Sequence, residues 1–154
     1  GDHAGQEHVV RLLDTFEDQD NLHLVMELCT GGELIDFLFH AKVFTELHAS
    51  LLLRQMLQGI AYMHAKHIVH RDIKPENTLL AYNCPLESNV VKLSDFGLSC
   101  VCPPDEFLKQ PCGTISFIAP QVLRGHYNHA ADLWSCGIVA YLLLCGRLPF
   151  QIGR

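Results

Sequence analysis

His70-Arg71-Asp72-Ile73-Lys74-Pro75-Glu76-Asn77, followed further along by Asp95-Phe96-Gly97, carries the densest chemistry in this 154-residue chain. The octet sets a carboxylate (Asp72), an ammonium (Lys74) and a carboxamide (Asn77) on one short loop. A second carboxylate, Asp95, joins Asn77 as a pair of hard oxygen donors of the kind magnesium prefers. Lys74 offers positive charge to a phosphoryl group, and Asp72 can orient a hydroxyl and accept its proton. Together these parts suit the gripping of a metal-bound triphosphate and the aiming of a hydroxyl at its terminal phosphate. The bland reading is a solvated polar loop. Asp-Phe-Gly alone is a common tripeptide, but the octet and the tripeptide in this order and at this separation form a specific pattern.

The rest of the chain sets limits on where such chemistry sits. A length of 154 residues is enough for one domain with a real core. A hydrophobic content of 49% against 18% charged describes a globular chain rather than a disordered one. The formal net charge of -6 argues against a nucleic-acid footprint or an anchor on anionic membranes, and a mildly acidic surface suits basic peptides. The seven cysteines show neither paired zinc spacing nor the density of a small secreted scaffold, so free thiols in a reducing, cytoplasmic setting are expected. No basic-then-apolar leader opens the sequence. The apolar run Ile138 to Cys145 falls far short of the roughly 18 residues that span a bilayer, so no membrane association is expected.

Periodicity gives the organisation. Val9 to Leu13 and Leu22 to Met26 are apolar runs around the acidic stretch Glu17 to Asn21, a hairpin pattern. Glu33 to His40 is a short helix candidate after Gly31-Gly32. Thr45 offers an N-cap and Glu46 sits well in a first turn. From there Leu53, Met56, Leu57, Ile60 and Met63 recur at helical spacing, predicting a helix to about Lys66. Ile68-Val69 and Leu79-Leu80 bracket the octet as two small strands, and Val90 to Leu93 is another. Asp95 to Ala119 is loop-like, with Pro103, Pro104 and Pro111 blocking regular structure. Pro120 to Arg124 fits a short helix. Ala130 to Cys145 fits a helix apolar nearly all round, hence central.

These residues resemble the catalytic loop and metal loop of eukaryotic protein kinases, and the likeness runs over nearly the whole chain. Val25-Met26-Glu27-Leu28-Cys29 resembles gatekeeper and hinge, with Met26 as gatekeeper. Cys112-Gly113-Thr114 with Ala119-Pro120 resembles the end of an activation segment. Asp132 to Gly137 and Gly146 to Phe150 resemble the central helix of the large lobe and the turn after it. Lys74 and Thr114 look like the serine/threonine branch. Met26-Glu27-Leu28, Phe44-Thr45-Glu46, Tyr62-Met63-His64 and the lengthened segment 81–89 resemble the calmodulin-dependent and calcium-dependent group.

The resemblance implies an α+β, protein-kinase-like fold: residues 1–26 the end of the small lobe, 27–33 the hinge, and 34–154 a large lobe incomplete at its C-terminal side. It implies ATP and Mg2+ as cofactors and transfer of the γ-phosphoryl group to Ser/Thr hydroxyls of protein substrates. Asp72, Lys74 and Asn77 are the implied catalytic residues, and Asn77 and Asp95 the metal ligands. Met26, the backbone of Glu27 and Cys29, Glu33 and Leu79 are the implied nucleotide contacts, with Leu79 as the floor under the adenine. His70 is implied to be structural, stacked on Phe96 with Leu12 extending the stack, while Asp132 anchors the loop backbone. Glu33 has two readings, a contact to ribose or to a basic substrate residue, or a solvated charge in a helix's first turn. Glu76 has the same pair of readings, as a basic-residue contact or a loop ion pair.

Departures from the family pattern narrow the expectation. No glycine-rich loop, no strand lysine and no partner glutamate precede the hinge, so the 154 residues read as a partial catalytic domain with poor activity of its own. Gln121 stands in place of a glutamate, Phe117 in place of a tyrosine, Thr78 in place of an aliphatic residue, and Gln110 in place of a phosphorylated threonine. Phosphorylation at that place is therefore not expected to act as a switch, and Asp105 or Glu106 are candidate anions for Arg71. The alternative is a pseudokinase or scaffold that binds protein partners without turnover. Oligomeric state is left open by the sequence.

Overall fold

The computed structural model describes residues 4–41 and 43–150. The ends of the expected domain, residues 1–3 and 151–154, lie outside the described residues. Strands and helices mix in an α+β arrangement. In chain order it runs β1 (Leu12–Glu17), β2 (Leu22–Met26), α1 (Leu34–Ala41), α2 (Glu46–Ala65), β3 (Ile68–Val69), β4 (Thr78–Leu80), β5 (Val91–Leu93), β6 (Cys100–Val101), α3 (Pro120–Leu123) and α4 (Ala130–Cys145).

α2 is the spine. The Thr45 side chain accepts a hydrogen bond from the His48 N–H at 3.2 Å and so caps an otherwise orphaned donor. Its buried stripe is Ala49, Leu52, Met56, Gly59, Ile60 and Met63. This differs from the expected stripe by a rotation, because Leu52 is buried and Leu57 faces solvent. Gly59 has a packing reason. A Cβ there would meet the His8 carbonyl oxygen at 2.8 Å, so glycine lets the segment Gln6–His8 cross the helix closely. Against α2 packs α4, through Cys136, Ile138, Val139 and Leu143. α4 is not buried all round, since Leu133 and Leu144 are exposed. It stops at Gly146, whose positive φ of 66° and N–H to the Leu142 carbonyl (2.9 Å) form a left-handed cap.

β1 and β2 form the expected hairpin, displaced at its first strand. The Val10 N–H donates to the Leu93 carbonyl at 2.9 Å, so Val9 and Val10 join β5 and β1 begins only at Leu12. The turn is held by Asp18, whose Oδ1 accepts the N–H groups of Asp20 and Asn21, each at 2.8 Å. Every residue of β1 is exposed. β3 and β4 do not pair with each other. β3 pairs with β6, a two-residue strand inside the stretch expected as loop, and β4 pairs with β5 in antiparallel register. Among the described residues no helix is long and apolar enough to cross a membrane.

Candidate functional site

The loop between β3 and β4 is hung from below on Asp132 of α4. This carboxylate, 1% exposed, accepts the Arg71 N–H on Oδ1 at 2.9 Å and the His70 N–H on Oδ2 at 2.9 Å. Its Oδ2 also lies 2.8 Å from His64 Nε2 on α2. Arg71 turns the chain sharply with φ of 70°, an uncommon conformation for a non-glycine residue. The two anchored amides hold that turn and set Asp72 just beyond it.

His70 is structural, in line with its sequence reading. Its Nε2 lies 2.9 Å from the Ser94 carbonyl, which can only accept, so Nε2 carries the proton. Nδ1 then accepts the Asp72 N–H at 3.3 Å. Both ring nitrogens are occupied, and the ring packs on Phe96 with centroids 5.0 Å apart. Leu12 does not continue the stack: it stays 52% exposed on β1, and Val9 is the residue of that segment that packs on the cluster with Phe96.

Asp72, Lys74 and Asn77 are brought into direct contact. Asp72 Oδ2 accepts from Lys74 Nζ at 2.8 Å and from Asn77 Nδ2 at 3.0 Å. Oδ1 accepts from Thr114, through its N–H at 2.9 Å and its hydroxyl at 2.7 Å. Lys74 Nζ also donates to Thr114 Oγ1 at 2.9 Å. Burial alone pushes the Asp72 carboxyl up, but the hydrogen bonds from Lys74 and Thr114 and the Lys74 charge outweigh it and hold the pKa below the usual value. Thr114 thus ties the segment after Gly113 to the loop. Sequence reading placed it at the end of an activation segment and used it to choose a branch of the family, but did not foresee its contact with Asp72.

The two oxygen donors expected at a metal are positioned by backbone. Asn77 spends Nδ2 on the carbonyl and carboxylate of Asp72, both at 3.0 Å, which leaves Oδ1 as its remaining polar atom. The Asn77 carbonyl accepts from the Ser94 N–H at 2.9 Å and the Ser94 hydroxyl at 3.0 Å, fixing the residue next to Asp95. Asp95 has φ of 59°, is exposed, and binds the Gly97 N–H through Oδ1 at 3.2 Å. Among the described residues no cluster of three His, Cys, Asp or Glu forms a metal cage. One carboxylate and one amide oxygen fit a magnesium ion whose other positions are filled by phosphate and water.

Of the expected nucleotide contacts, Glu33 and Leu79 are brought directly together. Glu33 bridges to Leu79, and the chain 30–32 lies on β4 through Thr30 N–H to the Ala81 carbonyl (3.0 Å), Gly31 N–H to Leu80 (2.9 Å) and Leu80 N–H to Gly32 (2.9 Å). Gly31 is required by this approach, because a Cβ would stand 2.4 Å from the Tyr82 carbonyl oxygen and 2.6 Å from that of Leu80. Neither obstacle is a flexible side-chain tip. Gly31→Ala is expected to cost about 3 kcal/mol by overpacking, read as a lower urea midpoint; an unchanged midpoint would show that the segment yields freely. Met26 is exposed at the end of β2, and Cys29 is half-buried, its thiol pushed up first by burial and then by the Glu27 charge. Glu27 points its side chain to Lys92 (2.7 Å), a pairing that sequence reading missed although Lys92 is the lone polar residue of β5.

Arg71 has neutral partners. Its Nε donates to the Leu98 carbonyl at 2.6 Å and a terminal nitrogen to Tyr127 Oη at 3.3 Å; Tyr127 in turn donates to the Gln110 carbonyl at 2.6 Å. Neither Asp105 nor Glu106 forms an ion pair with it among the described residues, so the expected acidic partner is corrected to a buried tyrosine. Thr78, which stands in place of an aliphatic residue, is fully buried with its hydroxyl donating to the Lys74 carbonyl at 2.9 Å.

Comparison with known proteins finds relatives over nearly the whole chain. The chain is 44% identical over 144 residues to calcium-dependent protein kinase 3 of Plasmodium yoelii yoelii, covering 93% of the chain and 26% of the relative. It is 44% identical over 144 residues to calcium/calmodulin-dependent protein kinase type 1 of Macrobrachium nipponense, covering 93% of the chain and 41% of the relative. It is 44% identical over 148 residues to CDPK-related kinase 7 of Arabidopsis thaliana, covering 96% of the chain and 25% of the relative. The chain therefore spans between a quarter and less than half of the length of these curated relatives. The family model described as protein kinase domain matches residues 2–154, and the chain belongs to that family.

Proposed function

We propose that the protein carrying this chain transfers the γ-phosphoryl group of magnesium-ATP to serine and threonine hydroxyls of other proteins. The observation that carries the reading is the double loading of Asp72, with Lys74 and Asn77 on one oxygen and Thr114 on the other. Bound magnesium-ATP supplies the electrophilic phosphoryl group; the chain supplies alignment and charge. Asp72 holds the substrate hydroxyl and takes its proton. The contacts from Lys74 and Thr114 that lower its pKa also make the carboxylate a weaker base, which favours orientation of the hydroxyl as its role. Lys74 lies within reach of the same oxygen and neutralises charge on the moving group. Asn77 and Asp95 hold the metal, and Met26, the backbone of Glu27 and Cys29, Glu33 and Leu79 hold the base and sugar.

Within this reading residues 1–26 close the small lobe, 27–33 form the hinge and 34–154 the large lobe. Glu33 and Glu76 are exposed and have no ion-pair partner among the described residues, which supports a preference for basic residues near the target hydroxyl. The names of the relatives support control by calcium or calmodulin, and ATP as donor supports an intracellular setting. No observation favours a scaffold without turnover, which has no chemical need for Asp72, Lys74, Asn77 and Asp95 together.

The test is transfer of label from γ-labelled ATP to a degenerate Ser/Thr peptide library by the full-length protein, with and without magnesium. Magnesium-dependent labelling with selection for Arg or Lys is the expected result. No labelling in the presence of calcium and calmodulin overturns the kinase reading, and labelling without basic selection removes the role given to Glu33 and Glu76.

A further inference from the structure

Lys92 is the middle residue of β5, between Val91 and Leu93, both fully buried. Alternation along the strand puts its side chain on the opposite face. In the β4–β5 register Lys92 stands directly across from Leu79, and directly opposed residues of an antiparallel pair share a face. From there Lys92 Nζ reaches Glu27 Oε1 at 2.7 Å. The same oxygen accepts the Arg11 N–H at 2.8 Å, and the Glu27 N–H donates to the Arg11 carbonyl at 3.0 Å. Glu27 is therefore fixed at three points, twice to the chain entering β1 and once to β5. The pair is mostly withdrawn from water, with Lys92 12% and Glu27 23% exposed at their side chains. Burial pushes the Glu27 carboxyl up, and the Lys92 and Arg11 contacts more than reverse it.

This pair has a consequence for the nucleotide, given the kinase reading above on which it rests. The Glu27 side chain and N–H face inward to Lys92 and Arg11, so the segment Glu27 to Cys29 leaves β2 with its backbone orientation already chosen. Leu79, on the same face of the β4–β5 pair, is the cross-strand partner of the lysine that makes the choice. We infer that Lys92 is a positioning residue for ATP, acting through Glu27 to hold the hinge backbone in register with Leu79. It touches neither phosphate nor substrate hydroxyl, so its effect falls on nucleotide affinity and not on the transfer step. A lysine kept only for stability has no reason to separate the two.

The test measures ATP affinity by calorimetry, and KM for ATP with kcat, in the full-length protein carrying Lys92→Met, Lys92→Arg, Glu27→Gln and the Lys92→Met/Glu27→Gln pair. Loss of one charge-assisted contact corresponds to about tenfold weaker ATP binding in Lys92→Met. The KM for ATP rises in parallel, kcat falls far less, and the KM for peptide is unchanged. Lys92→Arg restores affinity to within about threefold, because a guanidinium also serves a single carboxylate. The double variant is no worse than the weaker single one, as expected of a coupled pair. Wild-type ATP affinity in Lys92→Met, or equal losses in kcat and in affinity, overturns the inference. Should Lys92→Met fail to fold, Lys92→Arg and Glu27→Gln decide, with unaltered affinity in Glu27→Gln overturning it. Wild-type protein that binds no ATP overturns the kinase reading and this inference with it; wild-type protein that binds ATP without phosphorylating any peptide overturns only the former.

Discussion

Asp72→Asn in the full-length protein is expected to lower kcat by about 10²–10⁴-fold, the range for removing a positioned general base, with ATP affinity close to wild type. The substitution is nearly isosteric but exchanges an acceptor for a donor. One amide oxygen can still accept from the Thr114 N–H and hydroxyl, now at 2.9 and 2.7 Å from Oδ1. The amide nitrogen then faces Lys74 Nζ and Asn77 Nδ2, two groups that can only donate. Lys74 loses its ion pair and the hydroxyl loses its acceptor, while Asn77 Oδ1 and Asp95 are left in place. Single-turnover transfer and calorimetric ATP binding separate these effects. A variant within tenfold of wild-type kcat removes Asp72 from the mechanism. The sign of the pH dependence follows from the depressed carboxyl. Stability contributed by the Asp72 web is complete above the ordinary value of 3.8 and is lost only as pH falls through the lower value of the folded state.

The parts of the fold that were legible in the sequence are those set by local chemistry. Thr45 caps α2 as its side chain requires, and α4 begins and ends where its apolar run does. What escaped was decided by partners far away in the chain. Val9 and Val10 look like the start of a hairpin strand, yet Val10 bonds to Leu93. β6 is two residues long and exists because Ile68 and Val69 offer an edge, which no periodicity reports. Leu52 and Leu57 are equally apolar, and only the position of α4 and the crossing at Gly59 chooses between them. In the site, Asp72, Lys74 and Asn77 were legible because they lie within one loop. Lys92 was not, because its partner Glu27 sits on another element and a single lysine in a strand reads as a solvated face.

The same logic gives the largest expected effect on stability, at a residue that never meets substrate. Asp132→Ala leaves the Arg71 and His70 amides and His64 Nε2 without their acceptor, at a site where the carboxylate is 1% exposed. Breaking a buried charged contact of this kind costs about 3–5 kcal/mol. His64 is nearer the surface, with 14% of its side chain exposed, so water can replace part of its bond. The two amides cannot turn away, since Arg71 is held at φ of 70° and its relaxation would carry Asp72 with it. Asp132→Asn keeps one oxygen and offers two donors where donors already converge, so it falls between alanine and wild type. His64→Ala, which removes one donor from the outer side, is expected to cost only about 1 kcal/mol. Urea denaturation ranks the three variants, and hydrogen exchange at His70 and Arg71 shows whether the loop opens before the rest of the domain. If Asp132→Ala costs less than His64→Ala, or the two amides stay as protected as in the wild type, the turn before Asp72 is held by the octet itself and not by α4.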